Sequence, residues 1–249
     1  MTDKFYLVSV VRDYAMYQRC IMANPRCQFL SIVTLDNREE NLPIPVLYNR
    51  FIDSIEEDGW VIFCHEDWMP LQDIRRYLRG VDLGSLYGPI GAKMEVCPNA
   101  DFIHISGHIQ QRRKNGSWHK DVRGTWKGGD TDTFDCQCIV AHSSLLREKG
   151  LRFDEKLTFD LYAEDFCAGA YLKGVPSKIL PVMCRHYSGG TVGQRFWDSL
   201  EYLREKYRDC PKRFPSPVYR RISFGGDQSK PIYNYRRSPN AYLRYLLKK

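Results

Sequence analysis

Apolar residues run almost without interruption from Phe5 to Val11 (FYLVSVV), the pattern of a short strand covered on both faces in a parallel sheet. Tyr14 to Met22 then takes helical spacing, and Gln28 to Leu35 (QFLSIVTL) returns to a strand pattern. Ile44 to Ile55 reads as a helix and Trp60 to Cys64 (WVIFC) as a third buried strand. Strands alternating with helices at this interval predict βαβ units and a sheet of the nucleotide-binding type.

The pattern beyond Cys64 is shorter in its periods. Tyr87 to Ala92 (YGPIGA) reads as a turn-rich connection, Asp101 to Gln110 as a strand, and the polar, glycine-containing Arg112 to Asp132 as a mobile loop. Asp135 to Ala141 is another short strand, Ser143 to Gly150 a helix that its glycine stops, Leu161 to Lys173 a helix, and Lys178 to Cys184 a final strand. Phe196, Leu200, Leu203 and Tyr207 mark one amphipathic helix. Past Cys210 the chain is rich in Pro, Arg and Tyr, with a short helix expected over Ala241 to Leu247. These elements divide into a domain over 1–192 and an amphipathic helix with a basic C-terminal extension over 193–249.

Composition narrows the class. At 249 residues with 43% apolar content, the chain can bury a sizeable core, and no run of about 18 apolar residues offers a membrane span. Met1 to Lys4 leads into a strand pattern without the basic region, apolar stretch and cleavage site of a secretory signal, so a cytoplasmic setting is expected. Nine cysteines are an odd number, scattered through strand and helix patterns with no Cys-x-x-Cys pair, which predicts free buried thiols. The net charge of +7 is uneven: residues 201–249 hold thirteen Lys and Arg against four Asp and Glu, or +9, so residues 1–200 sum to −2. Such a tail suits an anionic membrane surface, a nucleotide diphosphate or nucleic acid, or is simply a solvated basic face.

In sheets of this kind ligands sit beyond the carboxyl ends of the strands, and here those ends are polar. The first three apolar runs end in Arg12-Asp13, Asp36-Asn37 and His65-Glu66-Asp67. Along an extended segment His65 and Asp67 share a face while Glu66 points away, a spacing that suits two groups gripping one divalent cation or its bound diphosphate. Carboxylate oxygen suits Mg2+ or Mn2+, and a neighbouring imidazole favours Mn2+. Glu164 and Asp165, in Phe159-Asp160-Leu161-Tyr162-Ala163-Glu164-Asp165-Phe166, stand at the start of a helix, where carboxylates are favoured electrostatically and where one could face a substrate as a general base. His186, in Arg185-His186-Tyr187-Ser188-Gly189-Gly190, either completes the coordination of the same metal or makes a core hydrogen bond.

Residues 5–190 resemble family 2-like glycosyltransferases of the GT-A fold, particularly the short bacterial-type members. The strand ending in His65-Glu66-Asp67 is similar to that family's Asp-x-Asp position, with His65 in place of the first Asp. Gly88-Pro89-Ile90-Gly91 and Ile105-Ser106-Gly107 look like its glycine-bearing segments. Phe153-Asp154-Glu155 followed by Glu164-Asp165 looks like its linked Phe-Asp-Glu and Glu-Asp pair. The resemblance implies an α/β, Rossmann-like mixed sheet flanked by helices and a metal-dependent, inverting transfer from a nucleotide sugar (UDP, GDP or dTDP type) to a hydroxyl of a glycan or lipid-linked acceptor, in polysaccharide or glycan assembly. It makes Asp67 a metal ligand with His186 and His65 as further ligands, and Asp165 the catalytic base. Arg12, Asp13, Asp36, His65 and Glu66 would stand on the donor side, and Glu164 and Asp135 on the acceptor side. The basic tail would make peripheral membrane contact, and no nucleic acid is expected. Phe134 to Cys138 lacks the small glycine-containing pattern common in the family.

Other classes are weighed against this. A nucleotidyltransferase also wants a metal and acidic strand ends, but Val11 to Ala15 supplies no glycine-rich basic loop for a triphosphate. A non-catalytic binding module or inactive homologue would use the Arg- and Tyr-rich tail, and leaves the ordered acidic strand ends without a purpose.

Overall fold

The computed structural model describes residues 4–112, 116–123, 128–188, 192–219, 221–235 and Leu243. In chain order the first half holds β1 (Lys4–Val11), α1 (Tyr14–Tyr17, prolonged by a π-turn over Gln18–Met22), β2 (Ser31–Asp36), α2 (Ile44–Asp53), β3 (Gly59–His65), β4 (Trp68–Pro70), α3 (Arg75–Leu78), β5 (Leu86–Gly88), β6 (Ile90–Glu95) and β7 (Asp101–Arg112). There follow β8 (Trp118–Arg123), β9 (Gly129–Thr131), β10 (Thr133–Phe134), β11 (Cys138–His142), α4 (Ser143–Glu148), α5 (Tyr162–Leu172) and β12 (Ser177–Ile179). The last elements are β13 (Cys184–His186), α6 (Gln194–Lys206), β14 (Phe214–Pro215), β15 (Ser223–Phe224) and β16 (Ile232–Asn234).

The apolar runs read from sequence form the centre of a seven-stranded sheet in the order β2-β1-β3-β11-β5-β12-β9. β1 lies parallel to both β2 and β3, Val8 pairing with Val33 on one side and Phe63 on the other. Because side chains alternate across a strand, β1 and β3 feed two cores at once. Tyr6, Val8, Val10, Val61 and Phe63 pack beneath α2, α4, α5 and α6, while Leu7, Val11, Trp60, Ile62 and Cys64 face the π-turn and a second sheet. That second sheet runs β10-β6-β7-β13-β4, with β8 and β16 also pairing with β7.

Three expectations need correction. Tyr87 to Ala92 is two strands and not a loop: the chain leaves the first sheet at Gly88 and joins the second at Ile90, with Pro89 between. Gly107 makes room for this crossing, since a Cβ there would lie 1.9 Å from the Pro89 carbonyl oxygen and its φ of +125° belongs to glycine. Arg112 to Asp132 contains β8, antiparallel to β7, and β9, antiparallel to β12. The run Lys178 to Cys184 is split, because Pro181 donates no ladder bond and the chain passes from β12 in the first sheet to β13 in the second.

The extension also departs from the boundary at 192. Phe196, Leu200, Leu203, Tyr207, Phe214, Ile222 and Phe224 belong to the same buried core as β1 and β3. Arg213 is buried against Asp101, its Nη1 2.7 Å from Oδ2, and β16 runs parallel to β7. Apolar spacing reveals α6 in the sequence, but short strands separated by Pro and Gly carry no period. The helix expected over 241–247 lies outside the described residues apart from Leu243. Among the described residues no helix is long and apolar enough to cross a membrane.

Candidate active site

A cavity of about 790 Å³ opens at the carboxyl ends of β1 and β3. Its floor is set by the crossing of the two sheets. His65 ends β3, Asp67 sits in the turn into β4, and β13 pairs antiparallel with β4 so that His186 lies opposite Trp68. The Tyr187 amide donates to the Asp67 carbonyl at 3.2 Å and fixes the approach. Residues far apart in sequence thereby bring His65, Asp67 and His186 together, with one ligand atom of each within 4.8 Å of the others.

Hydrogen bonding decides which atoms face this centre. The Tyr162 hydroxyl donates to the Cys136 carbonyl at 2.8 Å, so at its 2.9 Å contact with His65 Nε2 it acts as acceptor. With the His65 proton on Nε2, its Nδ1 is left as a lone pair 4.0 Å from Asp67 Oδ1. His186 adds two buried ring nitrogens without an aligned hydrogen-bond partner, Nε2 standing 3.3 Å from Asp67 Oδ1. Two imidazoles and a carboxylate fit a divalent transition ion, and Tyr162 acts as the outer group that orients a ligating histidine. Burial pushes the His65 imidazole down, toward the neutral form that ligates. Burial opposes the charge on Asp67, but the neighbouring His186 outweighs it and holds the carboxyl below its ordinary value.

The donor-side residues divide. Glu66 points away from His65 and Asp67, as alternation requires, and its Oε2 accepts the amides of Arg12 at 2.6 Å and Asp13 at 2.9 Å, tying the ends of β1 and β3 together. Arg12 and Glu66 line the cavity. Asp13 does not: its Oδ1 caps α1 through the Met16 amide. Nor does Asp36, whose carboxylate is clamped by the Arg38 side chain, a pairing that lowers it to about 2. Asn37 takes its place on the wall. Its side chain donates to the Leu42 carbonyl and accepts the Leu42 amide, folding the following loop over the cavity with Asn41 at φ 51°, a conformation asparagine tolerates. Asn37 and Asn41 are adjacent to residues named from sequence, yet amides carry no charge signal to single them out.

Asp135, Asp160 and Glu164 also line the cavity. Leu161, at φ 61°, turns the chain sharply into α5, after which Glu164 and Asp165 point about 100° apart around the helix. Glu164 faces the cavity and is fully buried. Its Oε1 accepts from Ser216 at 2.8 Å and its Oε2 has no partner. Burial raises its carboxyl to about 8. Asp165, expected to be the base, turns away from the cavity, where its Oδ1 accepts from Lys206 Nζ at 2.7 Å and from the Tyr207 hydroxyl at 2.8 Å. Lys206 also bonds Asp154 at 2.7 Å and so joins the linked Phe-Asp-Glu and Glu-Asp segments, while Asn49 holds Phe153 and Glu155 to α2. Asp160 is paired with Arg195 at 2.6 Å, and Arg195 stacks on Phe159, which in turn stacks on His65.

The sequence matches no known protein family and no curated protein. Among solved structures, a crystal structure of GalNAc-T7 with UDP, GalNAc and Mn2+ superimposes with a TM-score of 0.55 at 9% identity, over 83% of this chain and 49% of that one. The chain adopts a GT-A fold. S. aureus TarS matches at a TM-score of 0.47 and 12% identity over 82% of this chain and 39% of that one. The TarS fragment 1–349 in complex with UDP matches at 0.46 and 13%, over 79% and 63%. The chain thus spans about half the length of the GalNAc-T7 structure it resembles. On this GT-A scaffold, sequence reasoning overlooked Asn37, Asn41 and Arg195 on the cavity lining, and Tyr162 and Ser216, which hold His65 and Glu164. Arg195 and Ser216 lie in the segment set apart as an extension, and only the tertiary fold carries them to the site.

Proposed function

We propose that the chain is a metal-dependent glycosyltransferase that moves a hexosyl or pentosyl group from a nucleotide sugar to an acceptor hydroxyl with inversion. One observation carries this reading: a His65-Asp67-His186 centre and a buried carboxyl with a free oxygen, Glu164, line the same cavity. The UDP and Mn2+ in the GalNAc-T7 crystal make UDP sugars the first donors to try. His65, Asp67 and His186 would hold Mn2+ or Mg2+, which when bound neutralises charge on the departing diphosphate.

The chain's own groups supply the rest. Arg12 and Asn37 bind and orient the donor from the ends of β1 and β2. Glu164 Oε2 takes the proton from the acceptor hydroxyl as its oxygen bonds to the anomeric carbon. The bond from that carbon to phosphate breaks, and its electron pair leaves with the diphosphate. Ser216 holds the other oxygen of Glu164 in place. The Glu164 carboxyl, raised to about 8, keeps its proton at neutral pH, and the carboxylate it becomes near and above 8 takes the acceptor proton far better than an ordinary one. In this reading Asp165 anchors α5 and Asp135 lies between base and metal, close to the acceptor path. The nine cysteines are all free, and all but Cys136 and Cys210 are buried, which supports the cytoplasmic setting.

Donor hydrolysis tests the reading without knowledge of the acceptor. With Mn2+ and each of the UDP, GDP and dTDP sugars in turn, one donor is expected to release free sugar. Proton NMR of the first turnovers should show the anomer opposite to that in the donor. Release of the same anomer would overturn inversion, and release unchanged in Asp67→Ala would overturn the role of the metal centre.

A further inference from the structure

β2 ends one side of the first sheet, where β1 is its partner. The Asn37 amide donates to the Val11 carbonyl at 2.8 Å, so by the alternation of a parallel strand Ser31, Val33 and Leu35 turn their backbone groups toward β1. Ile32, Thr34 and Asp36 turn theirs outward, and none of the described residues bonds to those outward groups. An edge of this kind is a template for another strand, and folds usually guard it with short length, charge or proline. The other margins are guarded. β4, β9 and β16 have three residues each, β10 has two, β4 closes on Pro70, and β8 reads Trp-His-Lys-Asp-Val-Arg. By contrast β2 runs for six residues, Ser-Ile-Val-Thr-Leu-Asp, with no proline and no charge before Asp36. Val33 and Leu35, which adjoin the core beneath α2, are only half-buried.

We propose that β2 pairs antiparallel with β2 of a second copy of this chain, joining the first sheets of both copies across a twofold axis. Outward groups must meet outward groups, which restricts the register. The alignment that pairs the whole strand sets Thr34 opposite Thr34 of the second copy, Ile32 opposite Asp36, and Val33 opposite Leu35. The sequence suits pairing with itself. No like charges meet, the threonines face one another, and Val33 and Leu35 of the two copies cover each other on the half-buried face. The Asp36 carboxylate is already matched by Arg38 within its own chain. Ser31 of one copy also falls opposite Asn37 of the other, whose side chain folds the loop over 37–42 onto the cavity. Pairing thereby steadies that loop, and the association itself does not depend on the transferase reading.

Sedimentation velocity of the full chain from about 1 to about 500 μM, the range of small interfaces, should show a monomer giving way to a dimer. In the dimer the amides of Ile32, Thr34 and Asp36 should exchange hydrogen at least about fivefold more slowly than in the monomer. Thr34→Pro removes an outward amide while sparing the ladder to β1, and should abolish the dimer. Thr34→Arg and Thr34→Glu each set like charges face to face on the axis and should weaken it by about fivefold or more, whereas an equimolar mixture of the two should associate at least as tightly as the parent. Circular dichroism establishes which variants fold, and the charge pair carries the test if the proline variant does not. A parent that stays monomeric throughout would overturn the inference, as would a dimer whose edge amides exchange as in the monomer. Folded Thr34→Arg and Thr34→Glu proteins that associate as the parent does would also overturn it. Slow exchange of these amides in the dilute monomer would put a segment of the same chain on the edge, and the second copy would be excluded.

Discussion

The histidine–aspartate centre and the start of α5 are built by different means. His65 and Asp67 come from one strand end and its turn, and one pairing, β13 with β4, adds His186. The start of α5 depends on residues distant in sequence: Glu164 is held by Ser216, and Asp165 by Lys206 and Tyr207. Adjacent carboxylates on one helix thus have opposite fates. Asp165 has a cation beside it, and Glu164, left with a free oxygen, is the base in the proposed reaction. A charge that is matched inside a fold is held still, so an unmatched one is the better candidate for chemistry.

Four changes should break or sharpen this contrast. The largest effect is expected from ending the chain at Cys210, which removes Ser216, Phe214, Phe224 and the buried Arg213. Soluble expression and near-ultraviolet circular dichroism should both collapse, and a folded truncated protein would show the start of α5 to be independent of the tail. Glu164→Gln should lower transfer or donor hydrolysis by about 10²- to 10⁴-fold while donor binding by calorimetry is kept. The same variant carries a pH signature. The folded protein holds a proton on Glu164 up to about 8, whereas an unfolded chain releases it near the ordinary 4.5. Stability therefore falls as pH rises across that interval, and Glu164→Gln should be the more stable protein at pH 9 in urea titrations, by on the order of a few kcal/mol.

Lys206→Met leaves Asp165 buried without its cation and should destabilise the protein by about 3–5 kcal/mol, read from denaturant midpoints, with metal binding intact. Tyr162→Phe removes the acceptor that holds the His65 proton on Nε2, together with the donor to the Cys136 carbonyl. Mn2+ affinity should drop by about 10- to 100-fold, beyond the roughly 1 kcal/mol of stability that a lost hydrogen bond costs the metal-free protein. An unchanged affinity would mean that His65 does not ligate through Nδ1.

The parallel strands and the polar strand ends were legible because both faces of β1 and β3 are covered, which leaves continuous apolar runs that end where water begins. The shared face of His65 and Asp67 followed from alternation alone. What escaped was whatever tertiary structure decides. Asp36 and Asp13 stood at the right strand ends, yet Arg38 and the α1 cap claim their carboxylates, and no local pattern distinguishes a claimed carboxylate from a free one. Asp165 and Glu164 could not be told apart for the same reason, since Lys206 and Ser216 lie 41 and 52 residues away. The switch of sheets at Pro89 and again at Pro181 hid four strands as loops or as one longer run.

The most direct test of the central claim is a thermal-shift series with UDP, GDP and dTDP sugars, each with and without Mn2+, on the parent chain and on Asp67→Ala. One nucleotide class should raise the melting temperature only when Mn2+ is present, and Asp67→Ala should abolish that rise. A rise that ignores Mn2+, or that survives in Asp67→Ala, would contradict a metal centre built from His65, Asp67 and His186.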